Sequence, residues 1–156
     1  MSQVVNFKFQ KGERLRHKAL IQALFDKGEG IYEYPLRLMW RLATEKEIEG
    51  SFRAGLPDKL DHLQMMVTVP KKKRRRAVDR VLMRRRIREA YRLNRIPLKT
   101  MIEDKKVYLQ LGLVYISSEN EAYSKIEKRM KKIFSRLSSE IEKRLLCIQE
   151  ENEQIS

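Results

Sequence analysis

The 156 residues contain one cysteine, Cys147, so no internal disulfide can form and a reducing compartment is expected. A lone thiol of this kind reads as buried or incidental. No apolar run reaches 18 residues and no apolar segment opens the chain, so neither a membrane span nor a secretion signal is expected. Chemistry-bearing residues are also scarce. The two histidines, His17 and His62, fall on different expected elements without metal-ligand spacing, and no Gly-rich phosphate loop occurs. The carboxylates gather in loops and at the C-terminal end, so no catalytic constellation emerges. Acidic charge is the other shortage: 21 Asp and Glu face 35 Lys and Arg, for a net charge of +14. Such a surface attracts polyanions and loses affinity for them as salt rises.

The excess is local. Between Lys71 and Arg95, 13 of 25 residues are basic and only Asp79 and Glu89 are acidic, a net +11 (13 against 2). Lys71, Lys72, Lys73, Arg74, Arg75 and Arg76 run uninterrupted into Ala77–Asn94, which lacks Gly and Pro and reads as a helix. At 100° per residue, Arg80, Arg84, Arg88, Arg92 and Arg95, with Arg85 alongside, fall on one side. Val78, Leu82, Met83, Ile87, Ala90 and Leu93 fall on the other. Arg86 points toward the apolar side and is expected to snorkel at its edge. The planar guanidinium fork suits phosphate better than an ammonium does. A basic import-type patch would carry the same six-residue run, but an arginine-faced helix directly behind it favours a folded RNA site. Major-groove DNA reading is disfavoured because the basic side offers no Asn or Gln for adenine.

Around this segment the periodicities give helix, strand, strand, helix, strand, helix. Apolar residues from Leu15 to Phe25 recur at helical spacing within Glu13–Lys27, with Gly28 as the C-cap. Pro35 opens a strand to Ala43 that buries Leu36, Leu38, Trp40 and Leu42 and exposes Arg37, Met39 and Arg41. Trp40 is thereby assigned to the core. Thr44–Asp61 reads as a long loop, His62–Pro70 as a strand, and Val107–Ile116 as a central strand. Pro97 ends the basic helix or begins a short turn. Ser118 with Glu121 has a capping-box pattern ahead of the apolar stripe Ala122, Ile126, Met130, Ile133, Phe134, Leu137, Ile141 and Leu145. The expected organisation is an N-terminal extension (1–11), one domain (12–146) and an acidic flexible tail (147–156). The fold class is α+β, a two-layer sandwich of a small mixed sheet and three helices.

The run Ala77-Val78-Asp79-Arg80-Val81-Leu82-Met83-Arg84-Arg85-Arg86-Ile87-Arg88 resembles the helix signature of the bacterial ribonuclease P protein subunit. That signature reads Ala-Val, any, Arg-Asn-Arg, any, Lys-Arg, two variable residues, Arg; Arg80, Arg84, Arg85 and Arg88 match it. Arg14-Leu15, the Phe25 to Gly28 spacing and Pro70-Lys71-Lys72 resemble further family stretches. Val81 and Leu82 depart from it, standing where the family most often has Asn and Arg, and Ile21 replaces a common aromatic. The resemblance implies a left-handed strand-helix-strand crossover like that of ribosomal protein S5 domain 2. It also implies a bacterial cytoplasmic protein that binds a catalytic RNA and the 5′ leader of precursor tRNA, with Mg²⁺ held mainly by the RNA. The RNA-subunit residues would be Lys71 to Arg76, Arg80, Arg84, Arg85, Arg88 and Arg92. The leader residues would be Arg14, Ile21, Phe25, Arg37, Met39 and Arg41, combining charge with apolar stacking as single-strand grooves do. For Phe25, burial in the core and leader contact both stay open. The competing class is a general structured-RNA-binding or ribosomal protein without a role in cleavage.

Overall fold

The apolar stripe behind Ala122 is the spine of the molecule. In the computed structural model, which describes residues 8–57 and 60–155 and side chains as far as Ile148, it belongs to one helix, α5 (Tyr123–Ile155). Residues 1–7 of the expected N-terminal extension, and Ser156 of the expected tail, lie outside the described residues. Ile126, Met130, Ile133, Phe134, Leu137, Ile141 and Leu145 are buried, because spacings of three and four return them to one side. The backbone expected to form a tail continues this helix to Ile155, and Cys147 is exposed rather than buried. Ser118 does not cap it. The helix begins at Tyr123, and Ser117 Oγ takes the Glu119 N–H (3.1 Å) instead.

Four strands form one sheet in the order β1-β2-β4-β3: β1 (Glu29–Glu33), β2 (Leu36–Ala43), β3 (Leu63–Thr68) and β4 (Tyr108–Tyr115). β1 pairs antiparallel with β2, β2 antiparallel with β4, and β4 parallel with β3. The sheet is therefore mixed, with four strands where three were expected. The overlooked β1 has only five residues, with Gly30 inside it and Tyr34-Pro35 behind it, too short to show alternation. Parallel pairing of β3 with β4 requires a crossover, made by α3 (Ala77–Asn94) and α4 (Ile96–Lys105). Pro97 thus starts a ten-residue helix rather than a short turn. Its missing N–H is harmless in the first turn, and Leu98 and Ile102 anchor the helix in the core.

One sheet face carries Leu36, Leu38, Trp40, Met65, Leu109, Leu111, Leu113 and Tyr115, and packs against α3, α4 and α5. The opposite face is covered over only part of its length by α1 (Lys18–Lys27), α2 (Glu45–Glu49) and the surrounding loop, through Leu20, Leu24, Ala43, Ile48 and Tyr108. The described residues thus form five α-helices; α2 lies inside the expected Thr44–Asp61 loop, with Thr44 accepting the Glu47 N–H. α1 starts at Lys18 rather than Glu13 because Arg14-Leu15 is drawn into extended pairing beside β3, where Leu15 N–H donates to Met65 O (3.0 Å). Gly28 is the C-cap as expected, although its φ of −74° suits any residue. A Cβ there would lie 2.2 Å from Leu24 O, so crowding is what requires glycine.

Candidate nucleic-acid interface

The arginine helix is turned relative to the expected face. Its buried residues are Asp79, Met83, Ile87, Ala90 and Tyr91, whereas Val78 (71% exposed) and Leu93 look outward. Two inward groups account for the rotation. Tyr91 fits edge-on between Phe9 and Phe134, with ring centroids 6.0 Å from each. Asp79 is drawn in by ion pairs with Arg74 (3.0 Å) and Arg76 (3.2 Å) and by the Asn120 amide (3.1 Å). Its carboxyl is held below the usual range, first by the Asn120 hydrogen bond, against an opposing effect of burial, and then by Arg76 and the Arg74 charge.

The expected basic residues divide into two sets. Several are occupied inside the protein. Arg80 donates to the carbonyls of Arg74 (3.0 Å) and Arg75 (2.6 Å), and Arg86 donates to Glu121 O. Both arms of the Arg92 fork lie on Glu89 (3.0 and 2.7 Å). Arg95 departs most from expectation. It is fully buried, paired with Glu13 at 2.8 Å, and donates to Arg92 O and Lys8 O. Burial pushes the Glu13 carboxyl up, but bonds from Arg95 and the Gln10 N–H and the charges of Arg95 and Lys99 outweigh it and hold it below the usual range.

The second set has no acidic partner: Lys71, Lys72, Lys73, Arg75, Arg85 and Arg88 are exposed, and half-buried Arg84 donates only its Nε, to Arg80 O at 3.4 Å. Arg14 joins it from a distant part of the sequence, lying close enough to Arg88 for the two charges to interact. Partial burial, then the like charges of Arg14 and Arg84, push the Arg88 guanidinium below the usual arginine range. Three guanidinium groups acting on one another, with no carboxylate acting on Arg88, attract anions.

Arg14 stands at the β3 edge, where its backbone bridges to Met65. Register places Arg37, Val114 and Thr68 in one row across β2, β4 and β3, with Tyr32 of β1 beside Arg37. A second row holds Met39, Gly112 and Met66 beneath α1, where Leu24 approaches Gly112; a Cβ there would lie 3.1 Å from the Leu24 side chain. Arg37 and Tyr32 of the first row are exposed, and Phe25 of α1 is half-exposed (49%). Ile21 packs partly buried under the helix with Met39. Arg41 is not in this groove: it is 7% exposed, donates to Gln110 Oε1 (3.3 Å) and faces Glu47 (3.7 Å). Tyr32, Val114 and Thr68 were not anticipated. Tyr32 lies on the overlooked strand, and the other two are unremarkable until register aligns them with Arg37.

The histidines stay apart. His62 stacks on Tyr108 and its Nδ1 lies 2.9 Å from Val107 O, whereas His17 sits edge-on to Phe52. Burial, then the Arg16 charge, lowers the His17 pKa. Among the described residues no three His, Cys, Asp or Glu side chains gather in an arrangement able to hold a metal ion, and no helix is long and apolar enough to cross a membrane.

A mixed four-stranded sheet with a parallel crossover through an arginine-rich helix and a half-open opposite face defines a known class of α+β protein. The family model for ribonuclease P matches residues 9–138, and the chain belongs to that family. The ribonuclease P protein components of two strains of Porphyromonas gingivalis are each 30% identical to it over 141 residues, covering 90% of this chain and 94% of theirs. The ribonuclease P protein of Staphylococcus aureus has the same fold, with a TM-score of 0.53 at 17% identity over 80% of this chain and 94% of that one. A mutant of that protein, described as defective in mRNA degradation activity, gives a TM-score of 0.55 at 16% identity, over 82% of this chain and 90% of that one.

Proposed function

We propose that this chain is the protein subunit of a ribonuclease P holoenzyme. It binds the catalytic RNA through the outward arginines of α3 and the turn before it, and holds the 5′ leader of precursor tRNA in the groove beside α1. The observation that carries this reading is the cluster of Arg14, Arg84 and Arg88. No acid acts on it, Arg14 bridges to Met65 at the β3 edge, and Arg37 and Tyr32 stand exposed side by side across β2 and β1 with Met39 in the next row. Structured RNA presents phosphates to the first surface, and an unstacked strand finds charge and apolar faces in the second without sequence preference.

Hydrolysis is assigned to the RNA subunit, with Mg²⁺ bound there supplying charge neutralisation at the scissile phosphate. Among the described residues, the buried carboxylates of Asp79 and Glu13 are already engaged by Arg74, Arg76 and Asn120, and by Arg95 and Lys99, which leaves neither suited to hold a metal. The protein's part is to neutralise phosphates and fix the leader. The bacterial cytoplasm, where RNA and precursor tRNA meet, is the corresponding location.

Reconstitution tests the reading. The purified chain is added to a bacterial ribonuclease P RNA at low Mg²⁺, and release of a precursor-tRNA leader is followed. Cleavage that depends on the protein, with none from the protein alone, is the expected result. Tight RNA binding without stimulation would instead leave a general structured-RNA-binding or ribosomal protein.

A further inference from the structure

Six consecutive cations should repel one another and sample many conformations, yet Lys71–Arg76 has a defined shape. Pro70 O accepts the N–H groups of Lys73 and Arg74, both at 3.1 Å, closing the turn. Arg74 folds back so that its guanidinium reaches Asp79 Oδ2 (3.0 Å) and the Ser118 carbonyl, while Arg76 Nε meets the same Asp79 oxygen at 3.2 Å. Asn120, arriving from the β4–α5 connection, donates to Asp79 Oδ1 at 3.1 Å. Arg80, one turn into α3, grips the carbonyls of Arg74 and Arg75. Every one of these ties except the Pro70 and Arg80 bonds passes through Asp79 or a residue it holds. Asp79 is 8% exposed, and no other acid occurs between Lys71 and Arg88. The arrangement leaves a recess of about 540 Å³ whose rim includes Lys72, Lys73 and Arg75.

We propose that Asp79 is a positioning residue for RNA binding: by holding Arg74 and Arg76 it fixes the basic turn in one shape, so that Lys72, Lys73 and Arg75 meet consecutive phosphates already ordered. The inference deepens the proposed function and rests on it. Its logic is preorganisation, since a turn ordered before binding loses less conformational freedom on contact with RNA. The sign separates it from charge counting. Removing a carboxylate from a polycationic surface strengthens its attraction for phosphate if the acid merely dilutes the charge. A positioning acid does the opposite.

The test measures binding of the full chain to a bacterial ribonuclease P RNA between about 0.1 and 0.4 M salt, for the wild type and for Asp79→Asn, well below the thermal transition of each. Asp79→Asn is expected to bind about 10- to 30-fold more weakly near 0.15 M salt. The slope of log affinity against log salt should shrink by about 1.4 to 1.8, as two turn-to-phosphate contacts are lost. Loss of global stability alone would not change that slope in a folded sample. Equal or tighter binding with an unchanged or steeper slope overturns the proposal. Asn120→Ser, which alters no charge, provides a second measurement should Asp79→Asn not fold. It should weaken binding several-fold with a shallower slope, and unchanged binding counts against the positioning role. A wild-type chain that fails to bind the RNA overturns the functional reading and this inference together. Binding by the wild type that Asp79→Asn matches overturns the inference alone.

Discussion

Replacing Arg84 and Arg88 together with Ala probes the interface most directly, because both side chains lie on the outward side of α3 without an acidic partner. Each cation-to-phosphate contact contributes about 0.7 to 0.9 to the slope of log affinity against log salt, the lower value for single strands. Losing two contacts should therefore reduce the slope by about 1.4 to 1.8. Relative to 1 M salt, that corresponds to about 15- to 30-fold weaker binding at 0.15 M. Neither residue belongs to the apolar core, so stability should change by no more than about 0.5 kcal/mol each. The assay is a filter-binding or fluorescence titration against ribonuclease P RNA at four or five salt concentrations, with thermal unfolding as the folding control. The double replacement of Glu89 and Arg92 with Ala supplies the contrast. That pair is already satisfied within the protein, so its removal should move the slope by less than about half a unit. A folded Arg84/Arg88 variant with an unchanged slope would refute the assigned face and leave it a solvated surface.

Three further expectations concern the supports of that face. Glu13→Gln leaves Arg95 charged at full burial and should cost about 3–5 kcal/mol in chemical denaturation, a large part of a typical domain's 5–15; a loss below about 1 would show that the pair is not the clamp its geometry implies. Because the folded Glu13 pKa lies below its ordinary value of 4.5, its stabilisation is present above pH 4.5 and disappears as pH falls through the lower folded value. The Gln variant should therefore lose less stability than the wild type on acidification. Asp61 is shifted upward, chiefly by burial, so its ionised form opposes folding above the ordinary value of 3.8; Asp61→Asn should raise the melting temperature at pH 7, and a lower one contradicts the assignment. Gly28→Ala places a Cβ 2.2 Å from Leu24 O and 3.1 Å from Trp40 O, so α1 must shift. A loss of about 1–3 kcal/mol is expected together with weaker leader binding, since Phe25 moves with the helix, and a variant as stable as the wild type would disprove the crowding.

Long elements with clean periodicity were legible in the sequence. The α3 limits Ala77–Asn94 coincide with expectation, and the α5 stripe from Ile126 to Leu145 is buried as read, because packing against one large surface dominates both helices. Elements decided by distant partners were not. β1 exists because β2 pairs with it; alone, five residues with a glycine carry little preference. Arg14-Leu15 has helical spacing, but the β3 edge satisfies its backbone better as an extended segment. For the same reason the rotation of α3 was illegible. Val78 and Leu93 are apolar and Asp79 is charged, so spacing alone sends the wrong residues inward, and only Arg74, Arg76 and Asn120 make an inward Asp79 favourable.

The two buried acids explain how a segment of net +11 folds at all. Glu13 takes Arg95 and Lys99 into a buried cluster, and Asp79 takes Arg74 and Arg76. Glu89 occupies Arg92, and backbone carbonyls occupy Arg80 and Arg86. The cations of Lys71–Arg95 thus fall into a set engaged within the protein, four by carboxylates and Arg80 and Arg86 by backbone carbonyls, and a set without an acidic partner, Lys71, Lys72, Lys73, Arg75, Arg84, Arg85 and Arg88, supplemented by Arg14. Charge counted from sequence is therefore an upper limit on charge available to RNA. A salt dependence set by all thirteen cations would demand that the internal pairs open on binding, each exposing a carboxylate to the incoming phosphates. Opening them would oppose the very attraction it was meant to increase, so the proposed RNA interface calls on the outward set and not on the internal pairs.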